Sequence, residues 1–198
     1  MRVGIVGGTG DFGQGLAERL RRLGAEVVLG SRTPHDEFVS NVEASRFCEV
    51  VFLSIPPQAV GEMCSLLSAD LAGRIGVSVA SPIVFLDGRP AAAPGELSLA
   101  EQAQRAAPAC RIVAGFHTVS ATLLARADEP LREDVLLCGD DGEAKTVVAG
   151  LAERLVEGRA VDAGRLEVAR WIEPITAVLL NVNRGYKANS GVRITGLP

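Results

Sequence analysis

The first 32 residues constrain the fold more strongly than any other part of the chain. Met1 to Val6 is an apolar run that predicts a short strand, and the glycine-rich segment GGTGDFG follows it at residues 7–13. A helical pattern then extends to Leu23, and Glu26 to Leu29 predicts a second strand. A strand, a glycine turn, a helix and a second strand in this order are typical of a dinucleotide-binding unit.

The glycines of this turn have the spacing Gly8-x-Gly10-x-x-Gly13. The first glycine permits the tight turn, the second lets the backbone approach a pyrophosphate, and the third lets helix and strand pack closely. The helix then directs free N–H groups and a positive dipole towards the phosphates. A glycine turn without a ligand is the alternative interpretation. We predict that six residues of the turn bind the dinucleotide: Gly8, Thr9, Gly10, Asp11, Phe12 and Gly13.

The end of the second strand indicates which dinucleotide is bound. An NAD-binding unit usually carries Asp or Glu there, which accepts a hydrogen bond from the ribose 2′-hydroxyl. This chain has Gly30-Ser31-Arg32 instead. The guanidinium of Arg32 can pair with a 2′-phosphate, and the hydroxyls of Ser31 and Thr9 can donate to it. The sequence therefore favours NADP over NAD, with a solvated surface position for Arg32 as the alternative.

The rest of the chain alternates between strand and helix patterns. EVVFLSI at residues 49–55 is nearly continuous in apolar residues and ends in two prolines, which predicts a buried parallel strand. The same reasoning predicts strands at 75–79, 111–116, 135–138 and 159–162, helices at 58–71, 97–107 and 142–157, and a flexible loop at 90–95. This alternation predicts an α/β fold, namely a Rossmann-type doubly wound parallel sheet. The third strand is predicted to be short or missing, because too few residues separate Arg32 from EVVFLSI.

The pattern changes after Asp162. We therefore predict an NADP-binding Rossmann-type domain at residues 1–162 and a small C-terminal helical extension with its tail at 163–198. Leu166 to Val182 predicts a long apolar helix interrupted by Pro174, which belongs either to the core or to a dimer interface. A basic tail follows it.

Composition excludes several classes of protein. Hydrophobic residues make up 47% of the 198, which suffices for a full core, and the net charge of −4 without a dense basic cluster argues against nucleic-acid binding. No apolar run approaches the roughly 20 residues that a membrane-spanning helix needs. The first strand begins at Met1, so we expect no signal peptide and a cytoplasmic location.

The scattered cysteines and the acidic pairs do not indicate a metal site. Four cysteines lie far apart in the sequence, which favours buried free thiols in a reducing compartment: Cys48, Cys64, Cys110 and Cys138. Asp140-Asp141 precedes a predicted helix and is interpreted as a turn and an N-cap. We expect no metal.

Taken together, these segments resemble the NADPH-dependent reductases of the 8-hydroxy-5-deazaflavin coenzyme F420, also called F420H2:NADP oxidoreductases. The resemblance covers nearly the whole chain in order. It rests on MRVGIVGGTGDFGQGLAERL, VVLGSR, VVFLSIPP, SPIVF, GFHTVSA, LLCGDDGEAKTVVAGL, VDAGRL and EPITAVLLNVN. Two of these features are far more specific than the glycine turn: GFHTVSA, and LLCGDDGEAK followed by VDAGRL.

The resemblance implies a reaction and a set of site residues. The reaction is reversible hydride transfer between C5 of the deazaflavin and C4 of the nicotinamide, usually in a homodimer, which we expect to form through the C-terminal helix. The positions that match the 2′-phosphate contacts are Thr9, Ser31 and Arg32; those beside the nicotinamide are Ser54, Ile55 and Pro56; those on the deazaflavin side are Pro82, His117 and Val119. A basic residue often found shortly after the Arg32 position is replaced here by His35 and Asp36, which softens the expected preference for NADP.

The residues suit this chemistry. Hydride transfer between two rings needs no general acid on an oxyanion, so catalysis can rest on holding two carbons close together. His117 follows a predicted strand, and we expect it to position or polarise the deazaflavin ring through a hydrogen bond, with a structural histidine at the next helix as the alternative. We also consider Arg184, Lys187 and Arg193 for attracting the anionic tail of coenzyme F420, with a solvated basic tail as the alternative.

Two other functions stay open from the sequence. An NADPH-dependent reductase of a small ketone or imine would need a proton donor, for which His117 is the available candidate. A non-catalytic NADP(H)-binding redox sensor would bind the dinucleotide without turnover. The motifs beyond the glycine turn weigh against a sensor, because a sensor needs no second ring pocket.

Overall fold

The structure is a computed structural model, and it describes residues 1–197. The described strands are β1 (Arg2–Val6), β2 (Glu26–Ser31), β3 (Phe38–Ser40), β4 (Val50–Leu53), β5 (Ile75–Ser78), β6 (Ile83–Leu86), β7 (Arg89–Ala92), β8 (Arg111–Ala114), β9 (Val135–Gly139) and β10 (Ala160–Asp162). The described helices are α1 (Asp11–Arg22), α2 (Asn41–Arg46), α3 (Val60–Leu66), α4 (Leu99–Ala106), α5 (Ala121–Leu124), α6 (Gly142–Leu155), α7 (Ala169–Ile172) and α8 (Ile175–Tyr186).

The main sheet has the strand order β3-β2-β1-β4-β5-β8-β9-β10. The first six strands in this order are parallel, which confirms the prediction of a Rossmann-type doubly wound sheet. β9 and β10 are the exceptions, because β9 pairs antiparallel with β8 and β10 pairs in parallel with β9. The connection from β8 to β9 contains only the short helix α5, and an antiparallel neighbour needs no long crossover.

The third strand is present and short. β3 has three residues and pairs in parallel with β2, with Leu29 opposite Phe38 and Ser31 opposite Ser40. No helix stands between β2 and β3 in the described chain; a tight turn over 35–38 replaces it. This turn keeps residues 31–35 at the end of β2, where the predicted phosphate contacts lie.

A predicted loop and a predicted helix differ from the structure. Residues 90–95 were expected to form a flexible loop, but Arg89–Ala92 pairs with Ile83–Leu86 in a β-hairpin. The signal was Asp87-Gly88, whose positive φ angles of 49° and 71° suit a two-residue hairpin turn. The helix expected at 58–71 is also shorter, since a single 3₁₀ turn at Pro57–Ala59 precedes α3, which ends at Leu66.

The predicted long helix over 166–182 is two helices with different partners. Pro174 separates α7 from α8 because it has no N–H to donate to the preceding turn. The buried carboxylate of Glu173 at this junction accepts hydrogen bonds from the N–H groups of Leu99 (2.8 Å) and Ala100 (2.9 Å). The junction is thereby fixed to the N-terminus of α4.

The core lies on both faces of the sheet. In β4, Val50 and Phe52 belong to the cluster on the α1 and α6 side, and Val51 and Leu53 belong to the cluster on the α3 and α4 side. This alternation is the side-chain period of a strand buried on both faces. No helix within residues 1–197 is both long and apolar enough to cross a membrane.

Candidate functional site

A cavity of about 900 Å³ lies across the carboxyl ends of the parallel strands. This edge is where ligands bind in doubly wound sheets, at the point where the strand order reverses. Its lining includes ten of the predicted site residues: Thr9, Gly10, Phe12, Ser31, Arg32, Ser54, Ile55, Pro56, His117 and Val119. Gly8, Asp11 and Gly13 belong to the turn without lining the cavity, and Pro82 lines a smaller neighbouring cavity of about 360 Å³.

The three glycines of the turn have two kinds of local environment. A Cβ on Gly13 would stand 2.9 Å from Cα of Gly8, and a Cβ on Gly8 would stand 2.7 Å from Leu29. These two glycines therefore allow close packing of helix and strand. Gly10 differs, because a Cβ there would meet no protein atom within 4 Å. The space beside Gly10 is open to the cavity, as the approach of a pyrophosphate requires.

The N-terminus of α1 is free to bind an anion. Gly10 is its N-cap, so no side chain covers the first N–H groups of the helix. The N–H of Gly8 is instead donated to the carbonyl of Gly30 over 2.8 Å, which ties the turn to the end of β2. Asp11 is exposed in the first helical turn and adds a negative charge near this end.

Arg32 is the cation at the far end of the cavity. Its side chain is exposed and has no ion-pair or hydrogen-bond partner among residues 1–197. Ser31 is buried and its hydroxyl is engaged with Thr33, accepting from the N–H (3.2 Å) and donating to the carbonyl (3.0 Å). Ser31 therefore shapes the turn that presents Arg32. A bound phosphate would compete with the carbonyl of Thr33 for the hydroxyl proton of Ser31.

His35 also lines this end of the cavity. Its Nδ1 lies 2.8 Å from the carbonyl oxygen of Thr33, so Nδ1 carries a proton and donates it. The ring stacks on Phe38 at 4.8 Å between centroids. In the sequence, His35 marks only a departure from the family pattern, and its place beside Arg32 depends on the turn at 35–38.

Ser54, Ile55 and Pro56 follow β4 and form the middle of the cavity wall. The N–H of Ser54 is donated to the carbonyl of Val6 over 3.0 Å, which holds this loop against the first strand. Gly7 has a φ of +73°, and a Cβ on it would collide with the Ser54 carbonyl. The glycine turn and this loop are thus packed against each other.

His117 lies three residues after the end of β8 and is buried, with 4% of its surface exposed. The preceding residue, Phe116, has a φ of +67° and packs edge-on against Phe52. Such backbone strain in a bulky residue is uncommon and concentrates at functional sites. Burial lowers the pKa of His117 to about 3, so the ring is neutral at ordinary pH.

Two hydroxyl residues missed by the sequence analysis surround His117. Ser81 Oγ lies 3.3 Å from His117 Nδ1 and 2.7 Å from Thr176 Oγ1. Thr176 donates its own proton to the backbone carbonyl of His117 over 2.8 Å. His117 Nε2 is buried and has no hydrogen-bond partner among residues 1–197.

The C-terminal segment closes the cavity on the His117 side. Leu179 and Leu180 of α8 line it with Asn183, Asn189 and Ser190. The N–H and hydroxyl of Ser190 both donate to the side-chain oxygen of Asn183, at 2.6 and 2.7 Å.

The tail beyond this segment is fixed by a buried aspartate. Asp134 accepts hydrogen bonds from the N–H groups of Ile194 (2.7 Å) and Arg159 (2.8 Å). Its own N–H is donated to the carbonyl of Val192. These bonds hold residues 192–194 against the start of β9.

The basic tail residues lie outside the cavity lining. Arg184 donates to the carbonyl of Gly88 in the hairpin turn, and Lys187 and Arg193 are exposed. Asp141 is the N-cap of α6, as the sequence indicated, and Ser120 is the N-cap of α5. Within residues 1–197, no group of three or more His, Cys, Asp or Glu side chains is placed to hold a metal ion.

The four cysteines are free and buried, as predicted. Burial raises the pKa of the Cys48 and Cys64 thiols to about 11 and that of the Cys110 and Cys138 thiols to about 12. None of them lines the cavity.

Comparison with known proteins identifies relatives over the full length of the chain. A family model described as "NADP oxidoreductase coenzyme F420-dependent" matches residues 2–82. The F420-dependent NADP reductase of Methanocaldococcus jannaschii is 34% identical over 222 aligned residues, covering 100% of this chain and 99% of that protein. The protein of the same name from Methanothermobacter thermautotrophicus is 33% identical and covers 100% of this chain and 96% of its own length.

A solved structure shares the fold. A crystal structure of a protein from Arthrobacter sp. FB24 superimposes with a TM-score of 0.87, covers 99% of this chain and 100% of its own, and is 24% identical. The likeness extends beyond the residues that the family model matches, and so includes the part of the chain that contains His117 and α8.

Proposed function

The chain belongs to the family of F420-dependent NADP reductases, and from this premise we propose that it catalyses reversible hydride transfer between NADP(H) and coenzyme F420. The observation that best supports this activity is the single cavity that joins the glycine turn and Arg32 to His117 and α8. One cavity of this kind can hold a dinucleotide and a second ring system together.

The dinucleotide half of the cavity fits NADP(H). The open space at Gly10 and the uncapped N-terminus of α1 suit a pyrophosphate, because backbone N–H groups and the helix dipole favour an anion there. Arg32 has no partner in the described chain and is therefore free to pair with a 2′-phosphate. Thr9 lies on the same stretch of wall. We propose that Ser54, Ile55 and Pro56 contact the nicotinamide end.

The other half of the cavity is proposed to hold the deazaflavin. His117 and Val119 contribute to its wall, and the apolar side chains of Leu179 and Leu180 face it from α8. Pro82 stands at the neighbouring cavity, next in sequence to Ser81. Its proposed contact with the deazaflavin is therefore at the margin of the ring.

The two ligands supply the redox chemistry, and the protein supplies their alignment. Holding two reacting carbons in a near-attack geometry can account for about 7–11 kcal/mol of a barrier. His117 is neutral and buried, so it takes part as a hydrogen-bonding group.

The first experiment is to follow absorbance near 420 nm after mixing the protein with oxidised coenzyme F420 and NADPH, with NADH in parallel. We expect bleaching with NADPH and little with NADH. Arg32→Ala should raise the KM for NADPH and leave that for NADH unchanged. Arg105→Ala is the matched control, since Arg105 is exposed on α4 away from the cavity.

The other outcomes separate the alternatives. Equal bleaching with both dinucleotides would retain the reaction and refute the specificity assigned to Arg32. Bound NADPH without bleaching would refute the reaction and favour the ketone or imine reductase, or the redox sensor.

We also propose that the protein is a homodimer through its C-terminal helix. Several large apolar side chains near α8 are exposed in the single chain: Trp171 (68%), Val178 (61%) and Tyr186 (82%). The hairpin residues Phe85 and Leu86, exposed by 68% and 62%, extend this surface. Exposed apolar patches of this kind mark interaction surfaces. Sedimentation should give twice the mass of one chain, and Val178→Glu should give a monomer; a monomeric wild type would refute the proposal.

Two further expectations remain proposals. The division of the chain into residues 1–162 and 163–198 is supported by the change of pattern after β10, although α8 also lines the cavity. A cytoplasmic location is supported by the four buried, unpaired thiols, which suit a reducing compartment.

A further inference from the structure

The hydrogen bonds around His117 determine which of its ring nitrogens carries the proton. Thr176 has one hydroxyl proton, and it donates that proton to the backbone carbonyl of His117, which can only accept. Thr176 Oγ1 must therefore accept in its 2.7 Å contact with Ser81. The one proton of Ser81 is then committed to Thr176.

These bonds also determine the protonation of the His117 imidazole. Ser81 Oγ can only accept in its 3.3 Å contact with His117 Nδ1, so Nδ1 must be the protonated nitrogen. The ring is neutral because burial lowers its pKa to about 3. A neutral ring has one proton, and Nε2 is therefore an acceptor with a free lone pair.

This acceptor has no partner in the protein. Nε2 is buried and makes no hydrogen bond within residues 1–197, although His117 lines the cavity. A buried acceptor without a partner costs free energy, because its lost hydrogen bond to water is not replaced. A ligand that brings an N–H or O–H group to Nε2 removes this cost, whereas one that brings a carbonyl oxygen faces a repulsive lone pair.

We propose that Ser81 and Thr176 are positioning residues that fix His117 in its Nδ1–H tautomer, so that Nε2 accepts a hydrogen bond from an N–H or O–H donor on the deazaflavin ring. This inference rests on the proposed function for the identity of the ligand. The proton on Nδ1 follows from the three hydrogen bonds, and the free Nε2 follows from the burial that keeps the ring neutral. The position of Thr176 depends on Glu173, which fixes the start of α8 to α4.

The tautomer can be measured directly in the full-length protein. The chain has only two histidines, so long-range ¹H–¹⁵N correlation of the ¹⁵N-labelled rings gives two spin systems, and His35→Gln identifies the one from His117. We expect a protonated Nδ1 and an unprotonated Nε2 for His117, unchanged between pH 6 and pH 8. Addition of oxidised coenzyme F420 should shift the Nε2 signal, and addition of NADP⁺ alone should not.

Thr176→Val tests the positioning role. Valine keeps the shape of threonine and removes the acceptor for the Ser81 proton, so Ser81 can turn and donate to Nδ1. The ring then shifts to the Nε2–H tautomer, which presents a donor where the ligand also has one. We expect the KM for coenzyme F420 to rise about tenfold or more, with the KM for NADPH unchanged.

Two matched variants control for packing. Thr176→Ser keeps the hydroxyl and should restore both the tautomer and the KM for coenzyme F420. Thr146→Val makes the same change on α6, where the hydroxyl is exposed and bonds only the carbonyl of Gly142, and should change neither.

Several outcomes would overturn the proposal. It is refuted if Thr176→Val retains the Nδ1–H tautomer, if the tautomer changes while the KM for coenzyme F420 does not, or if NADP⁺ rather than coenzyme F420 shifts Nε2. Failure of the proposed function is distinguishable, because the wild type would then show the Nδ1–H tautomer in the spectrum without bleaching coenzyme F420.

Discussion

Gly10→Ala should weaken dinucleotide binding and leave the fold intact. Gly10 has φ −79° and ψ 162°, a conformation that alanine adopts without strain, and an added Cβ meets no protein atom within 4 Å. Alanine is a poorer N-cap than glycine by roughly 0.5–1 kcal/mol, but it also reduces the entropy of the unfolded chain by a similar amount. The free energy of unfolding should therefore change by less than about 1 kcal/mol.

The effect on binding is much larger, because the methyl group occupies the space through which a pyrophosphate reaches the N-terminus of α1. Loss of one charge-assisted hydrogen bond costs about 1.5–3 kcal/mol, which corresponds to roughly a 10- to 150-fold weaker Kd for NADPH. Isothermal titration with NADPH measures this change, and urea unfolding measures stability on the same samples.

Gly13→Ala is the contrasting variant. Its Cβ would stand 2.9 Å from Cα of Gly8, so backbone must move, and overpacking of this kind costs about 1–3 kcal/mol of stability. The reasoning about the turn would be refuted if Gly10→Ala bound NADPH within about threefold of the wild type, or if it unfolded as readily as Gly13→Ala.

Three further predictions concern stability and exposure. Burial raises the pKa of Glu173 from 4.5 to about 7, so its contribution to stability is fully present below pH 4.5 and is lost as the pH rises towards 7. The urea midpoint should therefore fall with rising pH in the wild type and not in Glu173→Gln. An equal pH dependence of the two midpoints would contradict this prediction. The four cysteines are buried with raised pKa values, so a thiol reagent such as DTNB should label none of them in the native protein and all of them in guanidinium. Rapid labelling of the native protein would refute their burial. Asp134→Ala removes the acceptor for the N–H of Ile194, so trypsin should cut after Arg193 faster than in the wild type. Mass spectrometry measures this rate of cleavage. An unchanged rate would show that Asp134 does not hold the tail.

The glycine turn could be predicted from the sequence because its constraints are local. The spacing of Gly8, Gly10 and Gly13 places close packing at two positions and open space at the middle one, whatever the rest of the chain does. Arg32 could be predicted for the same reason, because it follows directly after the last residue of β2. His117 could be selected because it follows a predicted strand whose carboxyl end faces the same edge of the sheet.

Ser81 and Thr176 could not be predicted in this way. They are 95 positions apart in the sequence, and their hydroxyls meet only after α8 has packed beside the loop that follows β5. No local pattern distinguishes either of them from a solvated hydroxyl residue. The direction of β9 was missed for a related reason, because strand patterns carry no information about orientation and only the short connection from β8 decides it.

The break at Pro174 was visible in the sequence, but its consequence was not. A proline within an apolar run indicates an interrupted helix. That the residue before it is a buried carboxylate bonded to the N-terminus of α4 depends on the packing of α7 and α4, which brings Glu173 to Leu99 across 74 positions. The single predicted helix is therefore a fixed junction followed by the helix that lines the cavity.

The continuity of the cavity has a kinetic consequence. Arg32 and His117 line one space, while the cysteines lie outside it in apolar surroundings. A hydride that passes directly between two bound molecules requires both to be present at once, and no half of the reaction can be completed with one of them alone. Initial rates measured at several fixed concentrations of NADPH should therefore give intersecting double-reciprocal lines, the pattern of a ternary complex, and not the parallel lines of a ping-pong mechanism.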